Sequence, residues 1–576
     1  MTPFRQFLAM SFLKWALIMI LMLWSFFVFI IYISKLNVEN VLDSDYKITR
    51  LNQTTTSTEQ SEKRNVELEA LIDEYLSDKS IRPEQKWKLI DVIESKLVPY
   101  AALRNKIIEP SVEYEKLRRR VQSNTQEMWN YVNSEMIELK KFGNPGSANF
   151  SVQIDAIINA AAEQKNSLLH DLDQLAEVDG YEAWRLKEAA ELSDLMQRRL
   201  YHLQNPEDCG KAQKLMCPLE VGCGYGCELH HVVYCLVMAY ATERTLILNS
   251  KGWRYHEAGW EDIFEPISDT CLTSEGASYG TWSNDIQNIQ VAKLPRMGKL
   301  NPQTPFLPQV IPEDLAPRLT RLHGDPFAWW VGQFLKYLLR MQPQTHNMVD
   351  AHRQKLGFTK PIVGVHVRRT DKLTQVKSHN VEEYMIWVED YFNRLELSQP
   401  VVKRRVFLAT DDPKVIEEAR KKYPKYDIIG DPDVARISAV ATRYSNSSLN
   451  GIISDAHLLS MCDYVVCTFS SQICRMAYEF MQTMYPDASN RFKSVDTIYY
   501  FYGEKVHNRE AVISHRAKNT IELSMNVSDT LRIFHNLGNG FSQGKSLQTN
   551  QTGIFPSFKV VNKVETADFP KYMNIN

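Results

Sequence analysis

Between Pro361 and Met484 the sequence alternates short β-branched runs with amphipathic stretches, and few folds accept that rhythm. The runs Ile362–Val367, Arg405–Ala409, Asp427–Ile429 and Tyr464–Cys467 predict strands. Helical spacing is predicted over 381–397, 413–423, 448–460 and 472–484. Strand–helix repeats of this kind close through right-handed crossovers into a parallel, doubly wound sheet. Such sheets bind ligands just beyond the carboxyl ends of their strands. Three polar clusters stand at those ends: Arg368 to Lys372, Thr410 to Asp412, and Thr468 to Gln472. One cluster alone would be an ordinary solvated turn, whereas three on one edge predict a nucleotide pocket.

The residue types in those clusters suit a diphosphate. Arg368 and Arg369 emerge together and offer planar forks, with Asp371 and Lys372 beside them to orient the guanidiniums. Arg368 is placed to hold a β-phosphate as it leaves, because charge develops there in the transition state. Ser471 and Gln472 open a helix, where hydroxyl, amide and free backbone N–H groups bind phosphate. Asp411, Asp412 and Asp455 are acceptors suited to base edges or ribose hydroxyls, and Asp455 could instead orient an arginine. Asp411–Asp412 and Asp431-Pro-Asp433 also allow a divalent ion bridging phosphates. Paired arginines supply that neutralisation without one, and no metal or cofactor is expected.

The motifs HVRRTDK (366–372), EEYM (382–385), ATDDP (409–413), SDAHLLS (454–460) and CTFSSQICRMAYEFMQ (467–482) resemble the α-1,6-fucosyltransferases. NPEDC, GCGYGCELHHVVYC, RTLIL, AGW and HGDPFAWW, all within 205–330, extend the resemblance upstream, so that ordered matches run from Asn205 to Val560. It implies a GT-B-like catalytic region and inverting, metal-independent transfer of fucose. The donor would be GDP-β-L-fucose, and the acceptor O6 of the innermost GlcNAc of an N-glycan. It places His366, Arg368, Arg369, Tyr384, Asp411, Asp412, Asp455, Ser471 and Gln472 around the donor, with Arg368, Asp371 and Lys372 as the catalytic group. It further implies the disulfides Cys209–Cys271, Cys217–Cys235, Cys223–Cys227 and Cys467–Cys474, with Cys462 free. In one respect the sequence departs from the family. After TDK the family carries a glutamate that deprotonates the acceptor, whereas this segment is one residue shorter and Gln375 is the nearest match. Glutamine cannot act as a general base, so Asp371, His379, Glu382 or Glu383 substitutes, a relay does, or catalysis is impaired. The last alternative would leave a lumenal protein that binds glycan or GDP-sugar.

Composition limits the rest. A chain of 576 residues suggests two to four units, and a net charge of −2 without a long basic run argues against a nucleic-acid partner. Trp15 to Ile33 is charge-free and long enough to span a bilayer. Arg5 and Lys14 precede it and acidic residues soon follow, predicting a cytosolic tail (1–14), a signal anchor (15–33) and a single-pass type II membrane protein with a lumenal bulk, which the resemblance would place in the Golgi. None of the nine cysteines precedes Cys209, and in an oxidising lumen their clusters favour disulfides over a zinc site. Residues 34–62 read as a flexible stem. Helical spacing over 63–204 predicts a helical or coiled-coil region that either pairs with a second copy or folds back on its own catalytic part (205–498). The glycines of 222–227 superficially resemble a phosphate-binding loop but show no clear preceding strand, so a stapled turn is expected, with His230 and His231 on the helix surface or in packing. Residues 270–312 read as loop, with a PxxP-like spacing at Pro305–Pro308. Residues 499–563 resemble an SH3-like barrel closing with GIFPSFKV at 553–560, followed by a tail over 564–576.

Overall fold

The computed structural model describes residues 108–142, 148–219, 222–369, 379–401, 403–439, 441–502, 508–572 and 575. The predicted tail, anchor and flexible stem, and the catalytic candidates Asp371 and Lys372, lie outside them. Among the described residues no helix is long and apolar enough to cross a membrane.

Three long helices come first: α1 (Val112–Phe142), α2 (Ala148–Val178) and α3 (Glu182–Gln204). The α3 helix buries Leu192, Met196 and Leu200 at four-residue spacing, which puts one apolar stripe against the main core. From α1, the Arg119 guanidinium donates to the carbonyls of Thr320 (2.7 Å) and Arg321 (2.9 Å) at the end of a later helix, Ala316–Leu322. A cation is favoured at that negative helix end. The helical region therefore folds back on the catalytic part.

The first sheet is wholly parallel, with β1 (Lys214–Pro218), β2 (Thr245–Asn249), β3 (Tyr279–Thr281) and β4 (Val291–Lys293) in the order β2-β1-β4-β3. The helix α4 (Tyr225–Ala241) crosses from β1 to β2. Two of these strands correct the loop expected over 270–312: β3 and β4 pair because Lys293 and Ala292 face Thr281 and Gly280 across the ladder. A third short strand, β5 (Val310–Pro312), follows, then α5 (Ala316–Leu322), α6 (Pro326–Leu338) and α7 (Pro343–Lys355). Phe306 packs on Phe569 of the tail, with ring centroids 4.7 Å apart.

The second sheet contains the predicted rhythm. Its elements are β6 (Ile362–Val367), α8 (Val381–Leu395), β7 (Arg405–Thr410), α9 (Pro413–Lys422), β8 (Asp427–Ile429), α10 (Pro432–Ile437), α11 (Asn446–Met461), β9 (Tyr464–Cys467), α12 (Gln472–Met481) and β10 (Phe492–Ser494). All five strands run parallel in the order β10-β9-β6-β7-β8. The chain builds outward from β6 to β8, then returns to lay β9 on the other side of β6.

The last sheet is antiparallel: β11 (Asn508–Ala511), β12 (Thr530–Asn536), β13 (Phe541–Ser546), β14 (Thr552–Pro556) and, after a 3₁₀ turn, β15 (Val560–Asn562), ordered β14-β13-β12-β11-β15. The segment after it does not trail away. Strand β16 (Glu565–Ala567) pairs with β5, and Tyr572 packs against Tyr240 at 5.0 Å. All four disulfides implied by the resemblance are formed, and Cys462 is free and buried.

Candidate functional site

Strand order fixes where a ligand can sit. In the second sheet β6 and β9 are neighbours whose following helices leave in opposite directions, and a crevice opens at the carboxyl ends of such a pair. His366, Arg368 and Arg369 lie at the end of β6, and Thr468 to Gln472 at the end of β9. In the first sheet β1 is likewise an interior strand, between β2 and β4, and the segment leaving it is the glycine loop. A strand thus does precede those glycines, contrary to the sequence reading. It was hidden because Lys214, Met216 and Pro218 break the β-branched pattern, and Lys214 is buried only by donating its ammonium to the Glu275 carbonyl at 2.7 Å.

The segments leaving β1 and β9 meet. A Cβ on Gly226, in the first turn of α4, would lie 2.9 Å from Gln472 Cβ and 3.0 Å from its carbonyl carbon. Only glycine lets the start of α4 approach the start of α12 this closely. Two helix N-termini, each a positive dipole end, therefore lie against each other. There Ser471 is fully buried, and among the described residues its hydroxyl has no partner. A buried hydroxyl left open at a helix start is what an anion would satisfy, whereas the Gln472 side chain already donates its Nε2 to the Tyr502 carbonyl.

Around this anion site the other candidates divide by role. His366 is buried, with Nδ1 3.2 Å from Cys474 Sγ. Burial, reinforced by the Arg368 charge, depresses its pKa to about 4, so it acts as a neutral hydrogen-bonding ring. Asp411 accepts the Arg369 backbone N–H at 2.8 Å, which fixes the turn out of β6. The Arg369 guanidinium itself is paired with Glu418 at 2.8 Å. Asp412 caps α9 through the Lys414 N–H at 3.0 Å. Tyr384 is buried and its hydroxyl pKa is raised by that burial. Asp455 is pushed up to about 8, first by burial and then by Asp431, and a bound N–H donor would draw it back to carboxylate.

A family model for alpha-(1,6)-fucosyltransferase N- and catalytic domains matches residues 4–500. The alpha-(1,6)-fucosyltransferase of Drosophila melanogaster is 48% identical over 617 residues, covering 99% of each chain. That of Caenorhabditis elegans is 39% identical over 407 residues, covering 69% of this chain and 72% of its own. The chain belongs to the alpha-(1,6)-fucosyltransferase family. It is a GDP-fucose-dependent glycosyltransferase. Among solved structures, NodZ alpha-1,6-fucosyltransferase co-crystallized with GDP is 15% identical, covering 46% of this chain and 92% of that one with a TM-score of 0.30.

Beside the predicted donor residues of this fucosyltransferase stand others that the sequence did not single out. Glu228, one turn into α4, is buried, accepts the Trp253 indole N–H at 2.7 Å and is pushed up to about 7 by desolvation. The Tyr225 backbone N–H donates to the Tyr255 hydroxyl at 2.8 Å, and Arg254 stacks on Tyr444 at 3.7 Å. Of the two places expected for His230, helix surface or packing, it takes the second. It is fully buried, bonded to the Gly226 carbonyl at 2.6 Å and to Glu479 of α12 at 2.8 Å, and so ties the two converging helices together. Among the described residues, the one grouping of potential metal ligands is Cys217, His231 and Cys235, and both sulfurs are already joined in a disulfide. It offers no metal centre.

Proposed function

We propose that this fucosyltransferase transfers L-fucose from GDP-β-L-fucose to O6 of the innermost, asparagine-linked GlcNAc of N-glycans, with inversion at the anomeric carbon. The observation that carries the transfer chemistry is the meeting of the α4 and α12 N-termini at Gly226 and Gln472, with Arg368 just past the end of β6, the strand paired with β9. The diphosphate lies at that meeting point, held by Ser471, Gln472 and the free N–H groups. Arg368 stabilises the β-phosphate as it leaves. His366, Tyr384, Asp411 and Asp455 line the nucleoside and fucose side. Two dipole ends and a guanidinium supply the positive charge, so the reading needs no divalent metal.

The same reading includes a GT-B-like pairing of the two parallel sheets, an SH3-like C-terminal barrel, anchoring by Trp15–Ile33 and catalysis in the Golgi lumen. It also includes a homodimer through the long helices. Leu117 and Met128 on α1, and Leu168 and Leu175 on α2, are exposed, and the last pair falls at heptad spacing. The test is full-length protein in detergent with GDP-fucose and a biantennary N-glycan bearing exposed GlcNAc, in EDTA. A mass gain of one deoxyhexose on the core GlcNAc is expected. No product alongside measurable GDP binding would overturn the transfer reading, and product only with added manganese would overturn metal independence.

A further inference from the structure

Resting on that transferase reading, a further question is which group takes the acceptor proton. An inverting displacement at O6 needs a base within hydrogen-bond reach, and the family's glutamate is replaced by Gln375. Among the described residues, three carboxylates near the donor edge are held by other partners. Glu382 pairs with Lys422, which also holds Glu418. Asp496, just past the end of β10, accepts from the Ser494 hydroxyl (2.9 Å), the Thr497 N–H (2.6 Å) and the Ser470 N–H (3.2 Å), which clamps it to the phosphate loop. Glu383 closes a capping box at the start of α8, its Oε1 accepting the Asn380 N–H at 2.8 Å. Its other oxygen, Oε2, lies 2.7 Å from His379 Nδ1.

That contact sets the imidazole's tautomer. A carboxylate only accepts, so the neutral ring carries its proton on Nδ1 and presents a lone pair on Nε2. The side chain of His379 is 14% exposed and stands edge-on to Tyr384, with centroids 6.3 Å apart at 87°. Tyr384 in turn lies within electrostatic reach of Arg369 and Asp496, so the ring belongs to the donor edge. The geometry points to His379 as the general base of the transfer, with Glu383 as the residue that positions it. In the reaction, the acceptor O6–H proton passes to Nε2 and the oxygen lone pair forms the bond to fucose C1. The C1–O bond to the β-phosphate breaks with its electron pair going to the phosphate oxygen. The products are the fucoside, GDP and an imidazolium that returns its proton to water. A His–carboxylate pair does here what a lone glutamate does in the family.

The test uses full-length H379A, H379Q and E383Q with GDP-fucose and the core N-glycan. H379A and H379Q are expected to lose about 10²- to 10⁴-fold in kcat, with GDP affinity by calorimetry within about twofold of wild type. Added imidazole should restore H379A and leave H379Q unchanged, since only the alanine leaves room for it. E383Q keeps the capping box, because glutamine serves at that position. It should lower kcat by up to about 10⁴-fold with little change in KM. Near-wild-type kcat in H379A, a loss that imidazole does not repair, or a parallel loss of GDP affinity would each overturn the assignment. An inactive wild-type protein would instead strike the transferase reading itself.

Discussion

Substituting alanine for Gly226 tests the convergence on which the anion site rests. The added methyl would sit 2.9 Å from Gln472 Cβ, 3.0 Å from its carbonyl carbon and 3.1 Å from the Ile473 nitrogen. Carbon atoms pack at about 3.5–4.0 Å, so the starts of α4 and α12 must part by roughly 0.6–1 Å. Two of the three obstructing atoms are backbone, and no rotamer change relieves them. Overpacking of this kind costs about 1–3 kcal/mol. Alanine recovers at most about 1 kcal/mol of helix propensity, and less in a first turn. The net destabilisation is therefore about 1–2 kcal/mol. Displacing Ser471 and Gln472 from the opposing N–H groups should weaken GDP about tenfold, equivalent to ~1.4 kcal/mol. Calorimetry with GDP and a thermal melt read the two effects separately. Gly298→Ala is the control, since a Cβ there meets nothing within 4 Å. If G226A matched G298A in both GDP affinity and Tm, the two helix starts would not form the anion site.

Arg368→Ala should lower kcat/KM about 10²- to 10³-fold, and Arg368→Lys should recover only part because it lacks the fork; full activity in the alanine variant would remove Arg368 from the phosphate. Asp455 titrates near 8 when folded, against an ordinary carboxyl near 4. The folded state thus binds more protons than the unfolded one between those values, and stability falls as pH rises from 4 to 8. Asp455→Asn should reduce that slope, the raised Glu228 keeping part of it, with Tm above wild type at pH 8 but not at pH 4, and superimposable pH–Tm profiles would refute it. Removing Cys467–Cys474 by a double serine substitution opens an eight-residue loop, for which chain entropy gives ~2.5 kcal/mol of destabilisation. Because Ser471 and Gln472 lie within it, GDP should weaken as well, and unchanged GDP affinity would separate the staple from the site. Aspartates at Leu117 and Met128 should convert a dimer to a monomer in sedimentation; an undisturbed dimer would move the interface off α1.

The central strands of the second sheet were legible because β6, β7 and β9 are largely buried and read as β-branched runs. Its helices begin at side chains that cap them, Asn380 before α8 and Asp412 before α9. Of the three-residue strands β8 was legible, whereas β3, β4, β10 and β16 are too short to show a period, and their ladders depend on partners elsewhere in the chain. Most of the proposed donor residues were nominated for a related reason, since Arg368, Arg369, Asp411, Asp412, Ser471 and Gln472 follow strands that the sequence displays, whereas Tyr384 and Asp455 lie within helices. Missed features depend on meetings across the chain. Nothing local to Gly226 announces Gln472, 246 positions later, and nothing local to His230 announces Glu479. The His379–Glu383 pair is an intermediate case. Its i, i+4 spacing is visible in the sequence, but there both residues read equally well as the polar start of a helix. What distinguishes them is that one oxygen of Glu383 completes the cap while the other is left to orient a ring. The proposed donor side of this enzyme thus combines backbone placement, through strand order and paired helix starts, with the Arg368 guanidinium. On the His379 assignment, proton removal instead depends on the placement of one side chain.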